Sequence, residues 1–298
     1  MAAGGLWAVF TVIAAAAQTA RNAMQRELTV KLGTAGATHV RFLFGFPFAV
    51  LFLIGVAVVI EAPLPRPSLV FAPWVFVGAL AQIAATALML AAMSERSFVA
   101  AVAYIKTEPI QIALFGLIVL GDMLTLQTLI ATLIATAGVV VMSIKRGAQG
   151  EGSARATLMG LGAGASFALS AIGYRGAILA LGHPSFVMAA TFTLTMGLLL
   201  QAGLLTGYLA WRDRKVLSAI MLNWRPSVFA GAMGALASEF WFLGFAITTA
   251  ANVRTLGLVE VLFAQMVSRF IFKHHLSKQE LIGVILIVTG VGLLVAVI

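Results

Sequence analysis

Ten apolar runs occupy almost the whole chain, at roughly 4–25, 35–60, 70–93, 97–120, 124–144, 156–180, 184–210, 226–249, 252–272 and 279–298. A helix rising ~1.5 Å per residue needs about 20 residues to cross ~30 Å of hydrocarbon, and every run reaches that length. Helix breakers set them apart: Pro63-Leu64-Pro65-Arg66-Pro67 after the second run, Gly147-Ala148-Gln149-Gly150-Glu151-Gly152 after the fifth, and Gly182-His183-Pro184 after the sixth. The runs leave only short loops from 298 residues. This pattern predicts an all-α polytopic membrane protein of ten transmembrane helices, with no separate soluble domain.

Composition agrees. Hydrophobic residues make up 61% of the chain and charged residues 10%, where a soluble domain carries about 25% charged residues. The surplus apolar surface needs lipid. A formal net charge of +9 would suggest nucleic acid in a soluble chain. Here the basic residues gather where apolar runs end, and no nucleic-acid-binding motif occurs. They read as topology signals, and no nucleic-acid partner is expected. With no cysteine, disulfides, thiol chemistry and Cys-based metal sites are excluded. Ala15-Ala16-Ala17-Gln18 looks like a signal-peptide cleavage site, but Met1-Ala2-Ala3-Gly4-Gly5 lacks a basic start, so Leu6–Ala20 is read as a retained helix.

The two halves resemble each other. Leu124-Thr125-Leu126-Gln127-Thr128-Leu129-Ile130 matches Leu276-Ser277-Lys278-Gln279-Glu280-Leu281-Ile282, Gly138-Val139 falls on Gly290-Val291, and Glu108 falls on Glu260, all at one offset of 152 residues. The expected division is 1–147 and 154–298, joined by a glycine-rich linker at 148–153. Five spans per half, an odd number, make the second half enter the membrane inverted. Such paired halves place a solute site between them near mid-bilayer. The connections after odd-numbered spans hold Arg21, Arg26, Lys31, Arg96, Lys145, Arg146, Arg155, Arg212, Arg214, Lys215, Arg225, Lys273 and Lys278. The others hold Arg66, with Arg175 and Arg254 near them. Basic loops stay in the cytoplasm, so both termini are expected outside a bacterial-type inner membrane.

Glu108-Pro109 in the fourth run, then Leu120-Gly121-Asp122, Leu124-Thr125, Gln127 and Gly138-Val139, with Arg41-Phe42 in the second run, carry a family likeness. The sequence resembles the drug/metabolite transporter superfamily, specifically its ten-helix EamA-type members, over essentially its whole length. The resemblance implies transport of a small organic solute without naming one, since the family spans exporters of amino acids and carriers of vitamins, nucleotide sugars and sugar phosphates. The chain departs from the family pattern at Asp122, where Glu is usual, at Val261 in place of the proline, and around Lys273-His274-His275. The second half is the more diverged.

A charge at a helix centre costs about 2.5–3.5 kcal/mol on insertion scales, so charges within the runs stand out. Lys106 and Glu108 lie midway along the fourth span, Glu239 in the eighth, and Glu260 and Arg269 in the ninth. Arg41, Arg175 and Arg254 lie nearer helix ends, within snorkelling reach of the interface. Tyr104, Glu108 and Gln111, at spacings of four and three, share a helix face. Lys106 should point about 200° away from Glu108 and need a different partner. Pro109 frees the carbonyl of Ile105 and is expected to kink the helix. These charges read either as a solute site or as an ion pair locking the fourth helix to a neighbour.

Glu260, the repeat partner of Glu108, is expected at the same central cavity, and Glu108, Glu239 and Glu260 are the candidate proton carriers. Ser238-Glu239-Phe240-Trp241 sets a carboxylate beside aromatic surface, suited to an amine or a ring-bearing solute; packing or lipid contact is the alternative for Trp241. Gln18, Arg21 and Asn22 cluster at the cytoplasmic end of the first helix, and Ser166, Ser170 and Tyr174 form a stripe at spacing four. The candidate substrate-binding set is Tyr104, Lys106, Glu108, Gln111, Tyr174, Glu239, Trp241 and Glu260. Gly160-x-x-x-Gly164 reads as close helix packing rather than nucleotide binding, and His274-His275 lacks metal-site spacing.

A secondary carrier is therefore expected, exporting metabolites such as amino acids by alternating access, with proton coupling as a further hypothesis. No cofactor or metal is expected; the partners are a small-molecule solute and the bilayer, with the chain a monomer or homodimer. Uptake of a vitamin or nucleotide-like metabolite is the alternative. A membrane-embedded enzyme lacks support, with no His-Glu-x-x-His, Gly-x-Ser-x-Gly or catalytic His-Asp set in the helices. A channel should show a ring of one charge sign.

Overall fold

The computed structural model describes residues 3–61, 63–94, 104–143, 154–263, 265–266 and 277–297. Arg269, His274, His275 and the 148–153 linker lie outside them. The helices are α1 (Ala3–Leu43), α2 (Gly45–Ile60), α3 (Phe71–Ser94), α4 (Glu108–Phe115), α5 (Leu126–Ser143), α6 (Ala154–Ala180), α7 (Phe186–Arg212), α8 (Arg214–Leu222), α9 (Trp224–Ile247), α10 (Ala250–Leu256) and α11 (Lys278–Val297). A π-turn over Gly116–Leu120 follows α4, and a 3-10 turn over Gly257–Val259 follows α10. The fold is all-helical and polytopic, with no strand among the described residues.

Among the described residues, seven helical stretches are long and apolar enough to cross a bilayer, with Gly5–Ile60 counted as one. That stretch contains the first two expected spans. Gly33 divides α1 at φ 67 and ψ 174, a conformation essentially closed to residues with a Cβ. The described residues of the expected fourth and ninth spans form short helical pieces around α4 and α10. Stripes at helical spacing face outward: Leu51, Ile54 and Val58 on α2, Leu126, Ile130 and Leu133 on α5, and Leu281, Ile285 and Val288 on α11 are all exposed. In an apolar chain these are the lipid-facing sides.

The helices pair across the two halves. α1 packs on α9 and α3 on α6, so the first span of each half lies against the third span of the other. α2 packs on α7, α4 on α10 and α5 on α11, each joining equivalent spans. Advancing every span by five maps this set of contacts onto itself, as a pseudo-two-fold requires. Small residues permit the approach. A Cβ on Gly173 of α6 would lie 2.7 Å from the backbone nitrogen of Gly78 on α3, and one on Gly290 of α11 would lie 2.6 Å from that of Ala135 on α5.

The connection between α7 and α9, expected as a basic loop, contains a helix. Asp213 caps α8 by accepting from the Lys215 N–H at 3.1 Å. Arg214 and Lys215 are exposed, Ile220 is buried, and Trp211, Leu222 and Trp224 project outward. A short amphipathic helix with basic residues in its first turn, flanked by tryptophans at the end of α7 and the start of α9, suits the headgroup layer.

Candidate functional site

The fourth span is broken where its charges lie. A turn at Lys106-Thr107 interrupts the helix, the Thr107 hydroxyl donates to the Tyr104 carbonyl at 2.7 Å, and α4 begins at Glu108. Pro109 sits in the first turn of α4, where its missing N–H has no helical partner to lose. It starts a helix instead of kinking one. The turn also removes the regular-helix geometry behind the expected opposition of Lys106 and Glu108. Both residues line one small cavity.

Their partners come from the other half. Arg254 of α10 donates twice to Glu108, Nε to Oε1 at 2.8 Å and Nη2 to Oε2 at 2.7 Å. Lys106 forms an ion pair with Glu260, and Glu260 Oε2 accepts from Gln18 Nε2 of α1 at 2.5 Å. Each half thus supplies one cation and one carboxylate, and each charge finds its opposite across the pseudo-two-fold. Pairing and bidentate geometry are what make such charges tolerable away from water. Trp241 supports both: the Arg254 guanidinium lies 4.4 Å over its ring, and its Nε1 donates to Gln18 Oε1 at 3.1 Å.

Two adjoining cavities flank this network. The larger, about 30 Å³, is lined by Gln18, Arg41, Gln82, Glu108, Ser170, Tyr174, Ser238, Trp241, Phe242 and Arg254, with Phe167, Ala171 and Phe245. The smaller, about 10 Å³, lies between Gln18, Lys106, Glu108, Pro109, Trp241, Arg254, Gly257, Leu258 and Glu260. One water needs about 10–15 Å³ by this measure. Together they have room for a few waters and are too small for a metabolite.

Of the candidate residues, Lys106, Glu108, Tyr174, Trp241 and Glu260 border these cavities. Tyr174 donates to Gln82 Oε1 at 3.4 Å and stacks 4.5 Å from Phe242. Trp241 is 4% exposed, so it packs inside rather than against lipid. Tyr104 and Gln111 are not among the lining residues. Gln111 Nε2 donates to the Thr107 hydroxyl at 3.2 Å, beside Gly164 of α6. Gly164 closes the α6 contact with this segment, as the small-residue spacing suggested: a Cβ there would lie 3.3 Å from the Ile105 carbonyl. Glu239 turns towards α7, where Oε1 accepts from the Thr191 hydroxyl at 2.5 Å and Oε2 has no partner. Of the serine stripe, Ser170 reaches the larger cavity and Ser166 does not.

The arginines expected near the interface lie inside. Arg41 is 3% exposed, and the side chains of Arg175 and Arg254 are 11% and 12% exposed. Arg21, read as part of the first loop, is 1% exposed: α1 continues as helix beyond it, and its side chain packs against Gly234 of α9. Arg175 clamps the Gly121-Asp122 turn, donating to Asp122 at 3.2 and 3.1 Å and to the carbonyls of Phe245 and Thr248 at the end of α9. Gly121, at φ 66, makes that turn possible. Asp122→Asn is expected to lower stability by about 1.5–3 kcal/mol in thermal or denaturant unfolding, with Asp122→Glu milder; equal stability for Asp122→Asn would remove the clamp.

Sequence reading missed Arg41, Arg254, Gln18, Gln82 and Ser238 as lining residues. Arg254 carried a signal, a charge two positions inside an apolar run, but the run's assumed boundary made it look terminal. Nothing in the sequence marks Gln82, an uncharged residue in a long apolar helix.

Fold and site together define a multi-pass membrane protein built from two helical repeats around a polar centre. The chain belongs to the EamA-like transporter family, whose pattern matches residues 3–144 and again 154–296; its members move small solutes across membranes. A solved crystal structure shares the fold at TM-score 0.68 with 17% identity, covering 98% of this chain and 94% of that one. No curated protein sequence matches.

Proposed function

We propose that this protein is a secondary carrier that exports small organic metabolites, such as amino acids, across the inner membrane by alternating access. The observation that carries the reading is the reciprocal pair Glu108–Arg254 and Lys106–Glu260, which joins the two halves beside a shared cavity. Charges that can exchange partners across such a seam give the halves two arrangements without stranding an ion in lipid. The basic odd-numbered connections, with Arg214 and Lys215 at the start of α8, favour a cytoplasmic placement for that side, with both termini outside. Saturable counterflow of radiolabelled amino acids in proteoliposomes tests the carrier, and linear, unsaturable flux would argue for a channel.

Proton coupling rests on three carboxylates. Glu239 is 8% exposed with one oxygen unpaired and no ion pair among the described residues, so no cation there holds it. Glu108 and Glu260 are each held by a cation from the other half. Glu239→Gln, Glu108→Gln and Glu260→Gln are each to be assayed with and without a pH gradient. At least one is expected to lose gradient dependence; the same response in all three and in the parent ends the proposal.

A further inference from the structure

We infer that the solute is recognised through an anionic group, a carboxylate or phosphate, by Arg41 with Arg21 beside it, so that the carrier selects organic anions or the anionic end of a zwitterion. This rests on the carrier reading and names the chemistry of its site.

The charge pattern at the centre is uneven. Four cations, Arg21, Arg41, Lys106 and Arg254, gather there, and the two carboxylates of the network, Glu108 and Glu260, are taken by Arg254 and Lys106. Arg21 and Arg41 are 1% and 3% exposed, and neither has an ion pair among the described residues. Their contacts are neutral. Arg41 donates to the Thr86 hydroxyl at 3.1 Å and the Ser238 hydroxyl at 3.4 Å, and its Nε is unpartnered. Arg21 donates to Asn22 Oδ1 at 3.2 and 2.7 Å, and its Nη1 is unpartnered. The two run side by side across Gly234, where a Cβ would lie 3.2 Å from Arg41 Cγ and 3.3 Å from Arg21 Cδ.

Neutral hydroxyls and an amide satisfy donors without cancelling charge. Two adjacent guanidiniums held from water are costly until an anion joins them. Arg41 lines the larger cavity together with Tyr174, Trp241 and Phe242, so an anion on its fork would have aromatic surface within the same cavity for its organic body. The guanidinium fork matches the paired oxygens of carboxylate and phosphate. An ammonium group entering the same space meets carboxylates that already have partners.

Binding to the purified full chain in nanodiscs tests this without a flux assay. Benzoate, phenyl phosphate, benzamide and benzylamine are titrated at fixed ionic strength by calorimetry and thermal shift. Benzoate or phenyl phosphate is expected to bind and raise the melting temperature, and whichever binds more tightly identifies the anion as carboxylate or phosphate. Benzamide and benzylamine are expected to do neither. Arg41→Gln and Arg21→Gln should weaken the anion by about ten- to a hundredfold, with Arg41→Lys intermediate. The selectivity of the parent protein needs no variant to fold. No response to either anion, an equal response to benzamide or benzylamine, or anion binding that survives both glutamine substitutions overturns the inference. Saturable flux alongside any of these leaves the carrier standing with a different substrate class; anion binding without flux does the reverse.

Discussion

Replacement of Arg254 by methionine is expected to abolish saturable flux and destabilise the fold by about 3–5 kcal/mol, the range for breaking one partner out of a buried ion pair. Methionine keeps length and apolar bulk but leaves Glu108, 4% exposed, without its bidentate cation. It also strips the charge from above the Trp241 ring. The double variant Glu108→Gln with Arg254→Met separates structure from transport. With both charges gone, stability should recover most of the loss, because a neutral pair of similar volume is often no worse than the ions. Flux should not recover. Unfolding of both variants, read beside counterflow, checks the pair. An Arg254→Met protein as stable as the parent, or a double variant that transports normally, would remove the network from the mechanism.

The second large effect lies at the seam between α5 and α11. Gly290→Val is expected to cost about 3 kcal/mol, the upper end for overpacking, and to reduce the yield of folded protein. A Cβ at Gly290 would lie 2.6 Å from the Ala135 nitrogen and 2.7 Å from the Ala131 carbonyl, so backbone, not a flexible side-chain tip, must give way. Gly292→Ala, two residues on, meets nothing within 4 Å and should be neutral or slightly stabilising through helix propensity. Equal thermal stability for the two variants would mean that the helices slide apart without penalty.

The polytopic fold and its duplication were legible because both follow from simple periodic facts: runs long enough to cross lipid, and one offset linking Glu108 to Glu260 and Gly138 to Gly290. Finer features of the site were less so. Reading Lys106 and Glu108 along a continuous helix assumed 3.6 residues per turn through a segment that contains a turn, and Pro109 serves equally as kink or helix start. The burial of Arg21, Arg41 and Arg254 depends on which helices pack around them. Arg21 looked like a loop residue because the apolar run ends near 25, yet α1 carries its helical backbone on to Gly33. The amphipathic α8 was hidden in a connection whose basic residues were taken only as a topology count.

The contact of α1 with α9 and of α3 with α6 means that the gene's halves are not the protein's bundles. Severing the chain at 148–153 leaves two fragments, each missing the companion of its own opening helix. Neither fragment can bury its small-residue face alone, so co-expressed halves should recover a working protein only by interlocking, and the earliest insertion products must wait in the bilayer for helices synthesised much later.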